Sequence, residues 1–228
     1  MIRTRHLTKV YDQGKPALED ANVEVDKGEF VFLVGPSGSG KTTFIRLLLR
    51  ELVPTGGEIF INDQDIVHLR SWKIASMRRN MGCVFQDFKL LPNKTATDNI
   101  GFALEVINRP RRLIKEQVPE VLKLVGLEDK AESYPHELSA GEQQRISIAR
   151  AFVNKPSLIL ADEPTGNLDP ATSMDIMSLL NKINRTGTTM LIATHDREMV
   201  DSMRKRVIAL EDGKIIRDQA RGVYGYED

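Results

Sequence analysis

A chain of 228 residues with 41% hydrophobic and 28% charged side chains is long enough for one large domain, or a domain carrying a subdomain, around a substantial core. Its 32 basic and 32 acidic residues cancel, so no global field draws it to nucleic acid or anionic lipid, and no nucleic-acid partner is expected. No run approaches the roughly 18 apolar residues of a membrane span. Residues 1–20 lack a signal-peptide pattern, and the single cysteine, Cys83, excludes a disulfide framework and is expected as a buried, reduced thiol. Together these point to the cytoplasm, with membrane contact only through a partner.

Residues 2–10 and 18–32 read as strands, with Val23 and Val25 alternating against Asn22, Glu24 and Asp26. Tyr11-Asp12-Gln13-Gly14 is a turn between them. Residues 58–62 form another short strand after the Thr55-Gly56-Gly57 turn, and this alternation suits a small antiparallel sheet with one wet face.

The run Phe30–Val34 is different: it is continuously apolar and breaks into Gly35-Pro36-Ser37-Gly38-Ser39-Gly40-Lys41-Thr42, followed by a helix expected over 43–52. A strand, a Gly-x4-Gly-Lys-Thr turn and a helix make a phosphate-binding loop. The glycines let successive N–H groups face one concavity, the helix N-terminus adds partial positive charge, and Lys41 adds a full one. The Thr42 hydroxyl is a candidate Mg²⁺ ligand, and Thr43 completes the nucleotide-binding set. The loop implies that a nucleoside triphosphate binds here. Tyr11 is a candidate adenine stacker, although a turn aromatic packed on the small sheet accounts for it equally.

The runs 81–85, 158–161, 190–193 and 207–210 are also short and continuously apolar, as strands buried on both faces of a parallel sheet are. With helical patterns between them, the fold class is α/β: a P-loop core with a mostly parallel sheet, the small antiparallel β subdomain, and an inserted helical subdomain. The insertion is expected over 88–156, where helical periodicity (100–107, 118–125, 142–153) is punctuated by Pro92, Pro110, Pro119 and Pro135. The core is then 1–87 with 157–228, the whole forming one nucleotide-binding domain.

Four of the core runs end on a functional group: Gly35, Gln86, Asp162-Glu163 and His195. In open parallel sheets, ligands bind at the carboxyl ends of the strands. Asp162 is placed to hold the Mg²⁺ shell, and Glu163 to accept a proton from the attacking water or to orient it. Gln86 is a neutral amide able to reach both metal and water; it also reads as an ordinary polar strand end. His195 is expected at the γ-phosphate, with Asp196 capping the next helix, and it too has a purely structural reading. Ser139 and Glu142 have capping-box spacing at the start of a helix through Ile146, Ala149, Arg150 and Val153, leaving Gly141 as bare backbone at a second anion-binding helix N-terminus. Asp169 before Pro170 is a standard helix start, which explains both residue types without any function.

Taken in this order, the loop, Gln86, Leu138-Ser139-Ala140-Gly141-Glu142-Gln143-Gln144-Arg145, residues 158–163, Asn167-Leu168-Asp169 and His195 resemble an ABC ATPase over nearly the whole chain. The resemblance implies ATP and Mg²⁺ as cofactors and ATP hydrolysis as the activity. It also implies a head-to-tail homodimer sandwiching two ATPs, in which Ser139, Gly141 and Glu142 belong to the neighbouring protomer's site and Asp169 to a loop crossing between protomers. Two residues depart from the family signature: Ala140 stands where Gly is usual and Glu142 where Gln is usual. A carboxylate at 142 lies near bound phosphate, and slows turnover, unless the capping bond turns it back.

Residues 86–92, 163–169 and 222–228 resemble the bacterial cell-division branch of the family. That branch implies a peripheral subunit on the cytoplasmic face of the cell membrane, driving an integral membrane partner of the FtsX type. The alternative within the family is the ATPase of a lipoprotein-release or macrolide-export system. A DNA-repair or chromosome-organising ATPase shares the signature but needs a coiled-coil insertion or basic groove, and a nucleotide kinase would leave 138–145 and His195 idle.

Overall fold

Residues 1–11 and 14–224 are described by a computed structural model of the chain. The centre of the turn expected at 11–14 and the last four residues of the 222–228 motif lie outside them. The chain packs as two compact units, one of residues 1–78, 161–163 and 189 onward, the other of residues 79–160 and 164–188.

The first unit opens with β1 (Ile2–Val10) and β2 (Pro16–Val25), an antiparallel pair. With β4 (Gly56–Ile61) and the two-residue β5 (Gln64–Asp65), they form a four-stranded sheet ordered β2-β1-β4-β5. Leu18, Ala21, Val23 and Val25 of β2 are buried while Glu19, Asp20, Asn22 and Glu24 are exposed, the half-wet alternation expected of an antiparallel sheet. The strand expected over 18–32 is in fact two. After Val25 the chain turns, Glu29 N–H donating to Asp26 O, and β3 (Phe30–Val34) begins as a separate element in another sheet.

β3 is buried at every position and runs parallel to β8 (Thr189–Thr194) on one side and β9 (Arg206–Glu211) on the other. β10 (Lys214–Gln219) closes that side antiparallel to β9. Burial on both faces is why these strands read as apolar runs rather than alternations. The helix after the loop is α1 (Lys41–Leu48), which starts two residues earlier and ends four earlier than expected. Leu49 caps it and Arg50 takes a left-handed φ of 57°, which stops propagation. α2 (Ser71–Arg78) is not among the expected elements: it buries Met77 alone, too little apolar pattern for periodicity to show.

The second unit holds β6 (Met81–Phe85), most of β7 (Leu158–Asp162) and the helices α3 (Ala96–Glu105), α4 (Arg111–Val125), α5 (Ala140–Phe152) and α6 (Pro170–Asn184). Pro119 does not end a helix: it lies inside α4, where Val118, Val121, Leu122 and Val125 bury one face and offset the missing N–H. Pro110 instead caps the start of α4, and Gly126, left-handed at φ 69°, ends it. Cys83 is half-buried rather than buried. The remaining helix, α7 (Arg197–Met203), belongs to the first unit and is capped by Asp196, whose carboxylate accepts from Met199 N–H. Among the described residues no helix is long and apolar enough to cross a membrane.

Candidate active site

The loop between β3 and α1 is shaped by backbone conformations that side chains would obstruct. At Gly35 (φ 148°) a Cβ would run into the Leu210 carbonyl oxygen, and at Gly40 (φ 109°) into that of Ala17. Ser39 is buried, its N–H donating to Pro36 O and its carbonyl accepting from Gly213 N–H. Pro36, Ser37 and Gly38 are exposed at the tip.

Lys41, only 7% exposed, folds back so that Nζ donates to Gly35 O (2.7 Å) and Pro36 O (3.0 Å). Burial lowers its pKa, and the nearby Glu163 and Asp162 carboxylates oppose that shift. An ammonium held by two loop carbonyls inside the concavity is poised to exchange them for phosphate oxygens.

Residues 161–163 enter the same unit, with Glu163 N–H donating to Ala193 O of β8. Burial raises the pKa of Asp162, partly offset by a hydrogen bond from the Thr42 hydroxyl. The Oδ1 of this carboxylate is buried without a hydrogen-bond partner. A desolvated carboxylate with an orphaned oxygen, bonded to a loop hydroxyl, fits a divalent cation. Among the described residues no group of three or more His, Cys, Asp and Glu side chains could hold a metal ion, so a cation at Asp162 and Thr42 would complete its shell with phosphate oxygens and water.

Glu163 adopts a left-handed backbone (φ 49°), unusual for a residue with a side chain and a form of strain that clusters at functional sites. Its Oε1 lies 2.8 Å from His195 Nδ1 at the end of β8, and Oε2 accepts from His195 N–H at 3.4 Å. The Glu163 side chain is mostly buried and the His195 side chain mostly exposed. The exposed Tyr11 places its hydroxyl 3.3 Å from Thr43 Oγ1, with Lys9 Nζ over its ring. The first unit thus gathers Tyr11, the whole loop, Lys41, Thr42, Thr43, Asp162, Glu163 and His195.

The other candidates sit in the second unit. Gln86 is paired reciprocally with Asn167: its Nε2 donates to Asn167 Oδ1 (3.1 Å) and its carbonyl accepts from Asn167 Nδ2 (3.0 Å). α5 starts with the capping box that the spacing implied. Glu142 N–H donates to Ser139 Oγ (3.3 Å) and Ser139 N–H to Glu142 Oε2 (2.8 Å), and that backbone bond chiefly holds the Glu142 carboxyl below its ordinary pKa. The carboxylate at 142 is therefore turned back onto its own helix. Asp169 caps α6, accepting from Thr172 N–H (3.0 Å) and Thr172 Oγ1 (2.5 Å), the hydroxyl bond being the main cause of its lowered pKa.

Two α5 side chains make contacts that the sequence did not disclose. Gln144, fully buried, donates to Phe85 O and Pro164 O; Arg150 donates to Phe88 O and Lys89 O. The available signal was polarity interleaved with the apolar Ile146, Ala149 and Val153.

Comparison with known proteins fits this arrangement. The family model described as ABC transporter matches residues 18–166. The cell division ATP-binding protein FtsE of Mycobacterium tuberculosis is 58% identical over 100% of this chain and 99% of its own, and that of Bacillus subtilis 52% identical over 100% of both. FtsE of Escherichia coli is 42% identical over 94% of this chain and 97% of its own. Among solved structures, the dimeric ATP-binding cassette MJ0796 in a post-hydrolysis state bound to ADP and Pi superposes with a TM-score of 0.87 at 36% identity, covering 99% of this chain and 100% of that one. With a phosphate loop, a strand-end carboxylate pair and a capped signature helix all in place, the chain belongs to the ABC transporter family, as one of its ATPases.

Proposed function

We propose that this chain is the ATP-hydrolysing motor of a cell-division complex, peripheral on the cytoplasmic face of the cell membrane. There it drives an integral membrane partner of the FtsX type that regulates septal peptidoglycan hydrolysis. The observation that carries the division role is end-to-end identity of 52–58% with cell division ATP-binding proteins.

The geometry supports a division of labour in hydrolysis. Loop N–H groups from Gly35 to Thr43 cradle the phosphates, and Lys41 leaves the Gly35 and Pro36 carbonyls for phosphate oxygens. Glu163 takes a proton from, or orients, the attacking water, and His195 holds that carboxylate through its ring nitrogen and backbone N–H. Thr42 and Asp162, with Gln86 as a further ligand, are the residues that would hold Mg²⁺. Bound there, the cation would neutralise charge developing on the transferred phosphoryl oxygens. Tyr11 stacks on adenine. Ser139, Gly141 and Asp169 lie at two capped helix starts and serve a second copy's nucleotide, with Glu142 holding Ser139 through the capping bond, so that two protomers close on two ATPs; the similar cassette MJ0796 is dimeric and bound to ADP and Pi. The functional cut is that of core 1–87 and 157–228 with helical subdomain 88–156.

Glu163→Gln tests this reading. Turnover should fall by about 100-fold or more with ATP affinity intact, and ATP should drive the variant into a stable dimer seen by light scattering. Wild-type turnover would remove Glu163 from its role. Membrane co-purification with a tagged chain tests the partner: recovery of an exporter subunit in place of a division protein would overturn the division reading.

A further inference from the structure

The segment leaving β6 is held in an unfavourable backbone conformation. Phe88 (φ 57°) and Lys89 (φ 50°) are consecutive left-handed residues, and neither is glycine. In that conformation the Cβ crowds the following carbonyl, so single residues visit it rarely and pairs need an external hold. One side chain supplies it. Arg150 Nη2 donates to Phe88 O at 2.9 Å and Nη1 to Lys89 O at 2.6 Å, so a single planar fork spans both carbonyls. Local bonds use the N–H groups instead, Phe88 N–H donating to Phe85 O at 3.3 Å and Lys89 N–H to Asp87 O at 2.5 Å beside the exposed Asp87–Lys89 ion pair, which leaves both carbonyls to Arg150.

The other end of the same segment is fixed from the same helix, by Gln144 donating to Phe85 O. Gln86 lies between these two anchors, and its amide is paired with Asn167. All these groups belong to one compact unit. α5 begins at Ser139 and Gly141 and carries Arg150 three turns further along.

We propose that Arg150 is a positioning residue, whose guanidinium holds residues 88 and 89 in the left-handed conformation and so sets the place of Gln86, passing movement of the signature helix to it. The link to turnover rests on the reading of Gln86 given above; the clasp itself does not.

The test pairs Arg150→Met, which keeps the stem and removes the fork, with Lys89→Gly, which makes the left-handed conformation free of cost at one of the two positions. Arg150→Met should lower kcat about tenfold or more with KM for ATP within about twofold, and amide exchange across 86–90 should accelerate. Lys89→Gly alone should stay within about twofold of wild type, and the double variant should regain kcat to within about threefold and recover slow exchange. If Arg150→Met fails to fold, Arg150→Lys, which retains charge and stem, carries the same readouts. Unchanged exchange in the arginine variant, or a loss that glycine at 89 does not restore, would reduce Arg150 to ordinary helix packing and overturn the proposal. Wild-type turnover in Gln86→Ala, with the exchange and its glycine rescue intact, would instead remove the Gln86 reading and leave the clasp standing.

Discussion

Gly141→Ala puts a methyl group where the structure has none to spare. A Cβ at 141 would lie 2.5 Å from Thr172 Cγ2 at the start of α6, well inside the roughly 3.5–4.0 Å of a carbon–carbon contact. Thr172 cannot simply rotate away, because its Oγ1 donates to Asp169 Oδ2 at 2.5 Å. Breaking a hydrogen bond to a carboxylate costs about 1.5–3 kcal/mol, and shifting the two helix starts apart instead costs about 1–3 kcal/mol. Against this stands the usual helix gain of alanine over glycine, roughly 0.5–1 kcal/mol. The net is a loss of about 1–2 kcal/mol, or about 2–8 °C in Tm for a chain this size. Thr172→Ser removes Cγ2 and keeps the hydroxyl, so Gly141→Ala in that background should be neutral or stabilising, with a coupling of at least about 1 kcal/mol in urea unfolding. Strict additivity, or a Gly141→Ala variant as stable as wild type, would refute the steric argument. ATPase measured on the restored double variant then separates the roles of Gly141: stability recovered without activity means that the bare backbone at 141 is itself needed.

Lys41→Ala should weaken ATP binding by about 10- to 150-fold, the worth of one charge-assisted contact to phosphate; unchanged affinity would sink the loop assignment. Burial raises the folded-state pKa of Asp162 above its unfolded value of 3.8, so its ionised form is held at a cost that appears as pH rises through that window and persists at neutrality. Asp162→Asn should therefore raise the Tm of the nucleotide-free protein at pH 7, on the order of 2 °C, while abolishing the Mg²⁺ dependence of ATP binding; a lowered Tm contradicts the sign. Glu142 has the opposite shift: its stabilising contribution is present above the unfolded value of 4.5 and lost as pH falls through the lower folded value. Glu142→Gln should cost about 0.3–0.5 kcal/mol at pH 7 and nothing in acid. Because the capping bond already turns the carboxylate away, Glu142→Gln should change turnover by less than about threefold; a large acceleration would show the carboxylate to be a brake.

The phosphate loop was legible in the sequence because its chemistry is local: strand, glycines, lysine and helix start are contiguous, and each position has one physical reason. The five apolar runs were legible for a similar reason, since burial on both faces leaves a continuous pattern. The capping box at Ser139 and Glu142 needed only spacing along one helix. Elsewhere the local pattern misled or fell silent. Pro119 reads as a breaker, yet the buried face of α4 carries the helix through it. α2 has almost no buried face to announce it.

What the tertiary structure alone decided is which distant groups meet. Glu163 and His195 are 32 positions apart and Gln86 and Asn167 are 81 apart, and no local periodicity encodes either pairing. The grip of Arg150 on Phe88 and Lys89, about 60 positions away, was likewise invisible, because the sequence does not show which carbonyls a helix side chain will face. Nor does it show that those two residues are left-handed, since neither is a glycine that would have marked the place. Contiguous motifs determined that a triphosphate binds; the packing of strand ends and helices decided which side chains stand beside one another to act on it.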